Sequence, residues 1–130
     1  FKGAPMAMTA HAVYLDNSKT AVTVSKKGMK DLIRDGIGFD GLVMSDDLDM
    51  KALSGTLTHK TERALSAGCD IALQCSGVLA DMVQVVKGAK ALEADALRRA
   101  IVAENCADNF TNIDRKSTKD EFNALMDKVS

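Results

Sequence analysis

Residues 37–50, which read IGFDGLVMSDDLDM, decide how the fold of this chain is interpreted. The apolar run LVM at 42–44 is continuous rather than alternating, which is typical of a parallel strand covered on both faces. The polar cluster SDD at 45–47 follows it directly. In α/β proteins, reacting groups gather at the carboxyl ends of parallel strands. The stretch therefore predicts a buried strand that carries chemistry at its C-terminal end.

Two further apolar runs are also followed by polar residues. PMAMTAHA at 5–12 ends in polar residues that include His11, and IAL at 71–73 is followed by QCSG at 74–77. Helical segments separate the three runs, and strand–helix alternation of this kind indicates an α/β fold with parallel pairing. We predict parallel strands near residues 6–10, 42–45 and 71–74, with His11 and Asp46 on one rim.

Helices are predicted between and after the strands. Ser25 is a good N-cap for the first helix, and Gly36 is expected to end it in a positive-φ conformation. Thr58 is expected to cap the second helix and Gly68 to end it. Three more helices are predicted, at about 78–91, at about 93–110 and from Thr118 or Lys119 onward.

The sequence predicts three strand–helix units, which are too few for a closed barrel. A closed (β/α)8 barrel needs about 250 residues, whereas this chain has 130 and is expected to form a single domain over residues 1–130. Three parallel strands alone would expose both sheet edges. The chain is therefore either a small open three-layer sheet or the last part of a barrel. The start FKGAP, with no initiator Met and no signal-peptide pattern, favours the barrel piece.

Composition excludes several classes of partner. The net charge of -1 argues against a general binder of nucleic acid or of anionic membranes. No apolar run approaches the roughly 20 residues of a membrane helix. The three cysteines form no C-x-x-C pair, so we expect buried free thiols and a reducing compartment such as the cytoplasm.

The glycines at 36–41, GIGFDG, satisfy the dinucleotide-binding pattern G-x-G-x-x-G. That pattern places a strand before the glycines and a helix after them, so that the helix N-terminus faces the pyrophosphate. Here the glycines end a helix and precede a strand. A helix stop and a tight turn explain them.

The acidic cluster and the histidines each allow a structural interpretation. Asp46 can be a nucleophile, a general base or a metal ligand, while Asp47 or Asp49 can simply cap the next turn. No second acidic pair ends another strand, which disfavours a Mg²⁺ or phospho-acceptor site. His11 can line a site or be a satisfied half-buried residue. His59 is expected to be a solvated surface residue.

The same stretches carry a family resemblance. Residues 37–50 resemble the nucleophile region of glycoside hydrolase family 3, in which G-F-D-G, an apolar strand and S-D end barrel strand seven. The continuation D-L-x-M is similar to the β-N-acetylhexosaminidase branch, whereas glucosidase branches more often have an aromatic residue there. MTAH at 8–11 resembles strand six of that branch, and residues 63–70 resemble its helix seven and strand eight. The resemblance covers about residues 5–85.

This resemblance implies the C-terminal part of a (β/α)8 TIM-type barrel, about strands 6–8, followed by C-terminal helices. It implies that Asp46 is the catalytic nucleophile and that His11 lines the sugar site, at a rim position that other branches fill with Tyr. The implied activity is retaining hydrolysis of terminal β-linked N-acetylglucosamine. The implied substrates are muropeptides from cytoplasmic cell-wall turnover or chitooligosaccharides, and no metal or organic cofactor is implied.

One part of the family pattern has no match. In this branch the general acid/base is a His in a loop after strand five, within a segment like K-H-F-P-G-H-G-D, and these 130 residues contain no such segment. The chain alone is therefore expected to be inactive. The alternative is a non-catalytic barrel fragment, or a subunit that needs a partner chain to complete the barrel.

Overall fold

The computed structural model describes residues 3–14, 19–108 and 114–128. Three strands form one sheet: β1 (Met6–Met8), β2 (Leu42–Asp47) and β3 (Ile71–Leu73). Helix α1 begins with an α-helical turn over Lys26–Gly28 and continues as a π-helix over Met29–Gly36, after a 3₁₀ turn at Val22–Val24. The remaining helices are α2 (Leu57–Ala67), α3 (Leu79–Gly88), α4 (Ala94–Asp108) and α5 (Arg115–Met126).

The sheet has the strand order β1-β2-β3 and both pairings are parallel, which confirms the predicted topology. Strand β1 is shorter than predicted. Strand β2 is longer and runs through Asp47, which is paired with Leu73, so Asp46 lies within the strand rather than after it. Pairing continues beyond the apolar run because the Leu48 amide also donates to the Leu73 carbonyl, at 3.0 Å.

Helix α1 begins as predicted and ends differently. The Ser25 hydroxyl accepts from the Gly28 amide, as expected of an N-cap. The expectation that Gly36 adopts a positive φ is wrong, because the positive φ lies at Gly38, at 68°. Gly36 is required for a different reason: a Cβ there would lie 2.7 Å from the Asp31 carbonyl, which the wide π-turn brings against it.

The start of α2 also corrects a prediction. Thr56, rather than Thr58, is the N-cap, and its hydroxyl accepts from the His59 amide. Thr58 lies inside the helix and donates to the Gln84 carbonyl of α3 at 2.9 Å, so it joins two helices. Gly68 ends α2 with φ 121°, as predicted.

The last three helices follow the predicted order with different bounds. Helix α3 is shorter at both ends than predicted, and α4 is described as far as Asp108, so that Phe110 lies outside the described residues. Helix α5 begins before Thr118 because the Asp114 carboxylate accepts from the amides of Lys116 and Ser117. No helix of the described residues combines the length and the apolar character that a membrane span needs.

The core lies around the central strand. Val43 and Leu48 are fully buried and pack with aliphatic residues of α1, α2 and the 3₁₀ turn. Strand β1, in contrast, is exposed, with Met6 43% and Met8 54% accessible. Beside it lies an apolar groove of about 620 Å³. Within the described residues, β1 and β3 each pair on one side only. This is a mixed α/β fold with a small parallel sheet.

Only one cysteine fits the expectation of buried thiols. All three cysteines are free, but Cys69 is buried whereas Cys75 and Cys106 are exposed. Cys69 is covered because it follows the end of α2, directly under the sheet, and it packs within the core cluster.

Candidate active site

The carboxyl ends of β1 and β2 bring the two predicted site residues to the same rim. His11, three residues beyond β1, has its Nε2 2.9 Å from the backbone carbonyl oxygen of Asp47. Asp46 is the residue before that carbonyl in β2. The prediction that His11 and Asp46 share one rim is therefore confirmed.

Asp46 has a half-buried carboxylate with a single protein donor. Its Oδ1 accepts from the Asp47 amide at 2.8 Å, and no other hydrogen bond to this side chain occurs in the part of the chain that the structure describes. A carboxylate held at one oxygen keeps lone pairs available at the other. This arrangement can present a nucleophile, a base or an acceptor to a ligand above the rim.

The neighbouring carboxylates are placed differently. Asp47 Oδ1 accepts from the Asp49 amide at 3.1 Å and from the Cys75 amide at 3.2 Å. Asp47 therefore caps the turn after β2 and ties it to the loop after β3, which is the structural role anticipated for Asp47 or Asp49. Asp49 itself is exposed. The three aspartates do not converge: no group of three His, Cys, Asp or Glu in the described ranges is placed to hold a metal ion.

The charge of this cluster affects the nearest thiol. Desolvation, followed by the negative charges of Asp47, Asp46 and Asp49, raises the pKa of Cys75 above its ordinary value. Asp46, Asp47 and Asp49 thus place negative charge near Cys75 at this rim.

Both ring nitrogens of His11 have protein partners. Nε2 donates to the Asp47 carbonyl, and Nδ1 lies 2.9 Å from the Thr23 hydroxyl, which also lies 3.0 Å from the Thr9 hydroxyl. The Asp47 carbonyl can only accept, so Nε2 carries a proton, whereas the single proton of the Thr23 hydroxyl has two acceptors within reach, Nδ1 and the Ala10 carbonyl at 3.1 Å. This network sets the tautomer and orientation of His11. His59, in contrast, is exposed near Glu62, as predicted.

Two residues at this site make contacts that the sequence did not predict. Ser45 is fully buried, and its hydroxyl accepts from the Leu73 amide at 2.9 Å, where the register between β2 and β3 shifts. Lys60 is buried in α2 and donates to the carbonyls of Leu48 and Met50 at 2.8 and 3.3 Å. A signal for Lys60 was available: with Leu57, Thr61 and Ala64 it occupies i, i+3, i+4 and i+7 positions of one helix face.

Comparison with known proteins decides the family. The sequence profile described as the glycosyl hydrolase family 3 N terminal domain matches residues 2–103. The chain belongs to this family. The resemblance carried by residues 37–50 is thereby confirmed.

The similar proteins within the family are β-hexosaminidases. The β-hexosaminidase of Mannheimia succiniciproducens is 42% identical over 71 residues, which are 53% of this chain and 20% of the relative. That of Bordetella pertussis is 38% identical over 79 residues, which are 59% and 22% of the two chains. This chain thus spans about a fifth of the length of these curated relatives.

Two solved structures share the fold of this chain over most of its length. The β-N-acetylglucosaminidase of Thermotoga maritima is 29% identical with a TM-score of 0.57, and the match covers 77% of this chain and 24% of that one. A fungal multi-domain family 3 β-N-acetylglucosaminidase gives a TM-score of 0.65 over 93% of this chain and 16% of its own, at 23% identity, and so shows a common fold.

Proposed function

We propose that this chain supplies the nucleophile of a retaining β-N-acetylhexosaminidase, and that the nucleophile is Asp46. The observation that carries the proposal is the half-buried Asp46 carboxylate at the C-terminal end of the central parallel strand, held at one oxygen by the Asp47 amide. The similarity to β-hexosaminidases supports the reaction class. Asp47 is less suited to attack because its carboxylate already accepts two backbone amides.

The proposed reaction has two displacements at the anomeric carbon. The Asp46 carboxylate attacks that carbon and the glycosidic oxygen leaves with a proton from an acid, which forms a covalent glycosyl-Asp46 ester. The group that gave this proton then acts as a base on a water, which attacks the anomeric carbon; the bond from that carbon to the Asp46 oxygen breaks, which releases the sugar and restores the carboxylate. The acid/base group is expected outside these 130 residues.

An acid/base group outside these 130 residues is consistent with a barrel of which this chain forms only some of the strands. We infer that β1, β2 and β3 are about strands 6–8 of a (β/α)8 barrel. Within the part of the chain that the structure describes, β1 and β3 each have one unpaired edge, and an apolar groove lies beside Met6, Ile37 and Phe39. Both features support additional strands and helices at those places. The completing segment is either upstream in the same protein or a separate partner chain. The enzyme in which this barrel is complete is called the assembled enzyme below.

The proposed substrate has a terminal β-linked N-acetylglucosamine, as in muropeptides from cell-wall turnover or in chitooligosaccharides. His11 is proposed to border the sugar next to Asp46, at a rim where hydroxyl and amide donors of a sugar meet carboxylate and carbonyl acceptors. The buried free thiol of Cys69 is consistent with a reducing compartment, and we propose the cytoplasm.

The test compares two aspartates in the assembled enzyme. Asp46→Asn is expected to lose about 4 kcal/mol of transition-state stabilisation, which is roughly a thousandfold in turnover. Asp49→Asn is the matched control and should have a small effect, because Asp49 is exposed on the following turn. Trapping with a 2-fluoro glycosyl inhibitor and peptide mapping should place the label on Asp46. A label on another residue would refute the assignment.

A further inference from the structure

We propose that Lys60 is a positioning residue for Asp46, acting through the loop that joins β2 to α2 (residues 48–56, the β2–α2 loop). This inference rests on the proposed function of Asp46. The Lys60 ammonium is buried beneath the loop, where it donates to the Leu48 carbonyl at 2.8 Å and to the Met50 carbonyl at 3.3 Å. Two points of one short loop are thus fixed by one side chain of α2.

The burial of the Lys60 ammonium indicates a role other than packing. Lys60 lies on the buried face of α2, where Leu57, Thr61 and Ala64 are its neighbours on the helix. Burial of a charged group is unfavourable unless its donors are satisfied, so an apolar residue of similar length would be the simpler choice for packing alone. The ammonium provides what an apolar side chain cannot: donors for backbone carbonyls that a loop leaves without helix or sheet partners.

The loop is connected to Asp46 by a short series of contacts. At the residue before the loop, His11 Nε2 donates to the Asp47 carbonyl, which also accepts the Met50 amide of the loop at 3.2 Å. His11 and Lys60 therefore hold three carbonyls, of Asp47, Leu48 and Met50, from two different elements. His11 holds the carbonyl of the Asp47–Leu48 peptide, and the amide that donates to Asp46 Oδ1 belongs to the adjoining Asp46–Asp47 peptide, on the other side of the Asp47 Cα. Loosening of the loop would let this amide move, and the aim of the Asp46 carboxylate with it.

A nucleophile is sensitive to such movement. A displacement of about 1 Å in a reacting group can reduce a rate by about a hundredfold. Lys60 touches the loop and not the rim, so its removal should lower kcat much more than it changes KM.

The experiment uses Lys60→Met, Lys60→Arg and the control Lys87→Met in the assembled enzyme. Lys87 is exposed near the end of α3, so its substitution makes the same chemical change at a surface position. Amide hydrogen exchange of the peptides over residues 48–56 is measured together with kcat and KM on a chromogenic N-acetylglucosaminide. Lys60→Met should exchange at least tenfold faster in the loop and lose about a hundredfold in kcat, with KM within about threefold of the parent.

Lys60→Arg keeps donors at this place and should recover kcat to within about tenfold of the parent, whereas Lys87→Met should match the parent. Lys60→Gln replaces Lys60→Met if the latter does not fold. Unchanged loop exchange, or faster exchange with unchanged kcat, would overturn the positioning role. A parent enzyme without Asp46-dependent turnover would instead overturn the proposed function, and the exchange comparison would still report whether Lys60 anchors the loop.

Discussion

Asp46 and Asp47 are adjacent carboxylates with different numbers of partners. Asp47 accepts amides from two loops, those of Asp49 and Cys75, while Asp46 accepts only the amide of Asp47 in the described part of the chain. Each charge-assisted bond stabilises a carboxylate and lowers its nucleophilicity. The fixed Asp47 therefore supports the turn, and the single donor to Asp46 is consistent with the proposal that Asp46 is the nucleophile.

His11 provides a test at the same rim. His11→Ala removes the donor to the Asp47 carbonyl and leaves Thr23 without its ring partner. We expect kcat/KM of the assembled enzyme to fall about tenfold to a hundredfold, since the Asp47 carbonyl next to Asp46 loses its donor and a displacement of about 1 Å at a reacting group costs about a hundredfold in rate. Steady-state kinetics measure this loss. His59→Ala is the control, because His59 is exposed. Unchanged kcat and KM in His11→Ala would leave His11 a purely structural residue.

Cys69 gives a prediction that depends on pH. Burial raises the pKa of its thiol from 9.0 to about 12, so the folded protein holds this proton more tightly than the unfolded chain does. The resulting stability is fully present below pH 9.0 and is lost as the pH rises towards 12. In the assembled enzyme at pH 8.5, iodoacetamide should label exposed Cys106 and should reach Cys69 at least a hundredfold more slowly. Peptide mapping measures both rates, and labelling of Cys69 as fast as Cys106 would contradict its burial.

At the scale of elements, α4 is attached to the sheet by ion pairs at the end opposite to Asp46. Arg99 donates to the buried Asp70 at 3.0 Å, and Asp70 also accepts from Arg34 and from the Val43 amide. Only 4% of the Asp70 side chain is exposed, so its partners are not replaced easily by water. This network joins α1, β2, β3 and α4.

Removal of Arg99 should release α4. Arg99→Ala leaves the buried Asp70 with one cationic partner, and we expect a loss of about 3 kcal/mol in the free energy of unfolding of the assembled enzyme. Denaturant titration measures the loss, and hydrogen exchange should be faster over α4. Arg98→Ala is the matched control: Arg98 pairs with the exposed Asp40, and such pairs are screened by solvent. Equal effects of the two substitutions would contradict the role of Asp70.

The sequence predicted the elements better than their ends. The apolar run at 42–44 was sufficient to place β2, since a strand buried on both faces needs it. The extension of β2 to Asp47 could not be predicted, because it depends on the Leu48 amide reaching the Leu73 carbonyl of another strand. The π-helix in α1 and the Thr58 contact with α3 likewise depend on tertiary packing rather than on local propensity.

Some residues of the candidate site could likewise be predicted from the sequence, and others could not. The family pattern pointed to Asp46 and His11, and the parallel strands confirm that they share a rim. Lys60 and Ser45 were missed because Lys and Ser are ordinary surface residues in most sequences. Their roles follow from burial, and burial is a property of the folded chain.

At the scale of the whole molecule, large apolar side chains are exposed beside β1 and also along α3, α4 and α5. The exposed apolar side chains of Met6, Met8 and Ile37 lie on the β1 side, and Leu79 and Val86 of α3 are also exposed. A parallel sheet is normally covered on both faces and has protected edges. The chain therefore presents, on the β1 side, the kind of surface that a neighbouring strand and helix of a barrel would cover.

The isolated chain should therefore lack the activity of the assembled enzyme. We expect residues 1–130 alone to hydrolyse a chromogenic N-acetylglucosaminide at a rate far below that of the assembled enzyme, because loss of the acid/base removes a factor of about 10²–10⁴ and loss of the remaining sugar contacts removes positioning. The open edges should also make the chain aggregation-prone or partly molten, which light scattering and dye binding measure.

The assay is informative in both directions because Asp46 can be varied in the same chain. Residues 1–130 are expressed in a host without its own hexosaminidase, and release of the chromophore is followed for the parent and for Asp46→Ala. No turnover in either is the expected result, and addition of the completing segment should restore it only to the parent. Robust turnover by residues 1–130 that Asp46→Ala abolishes would mean that a second proton-transferring group lies within this chain. His11 would then be the first residue to test, since its ring lies 2.9 Å from the Asp47 carbonyl next to Asp46.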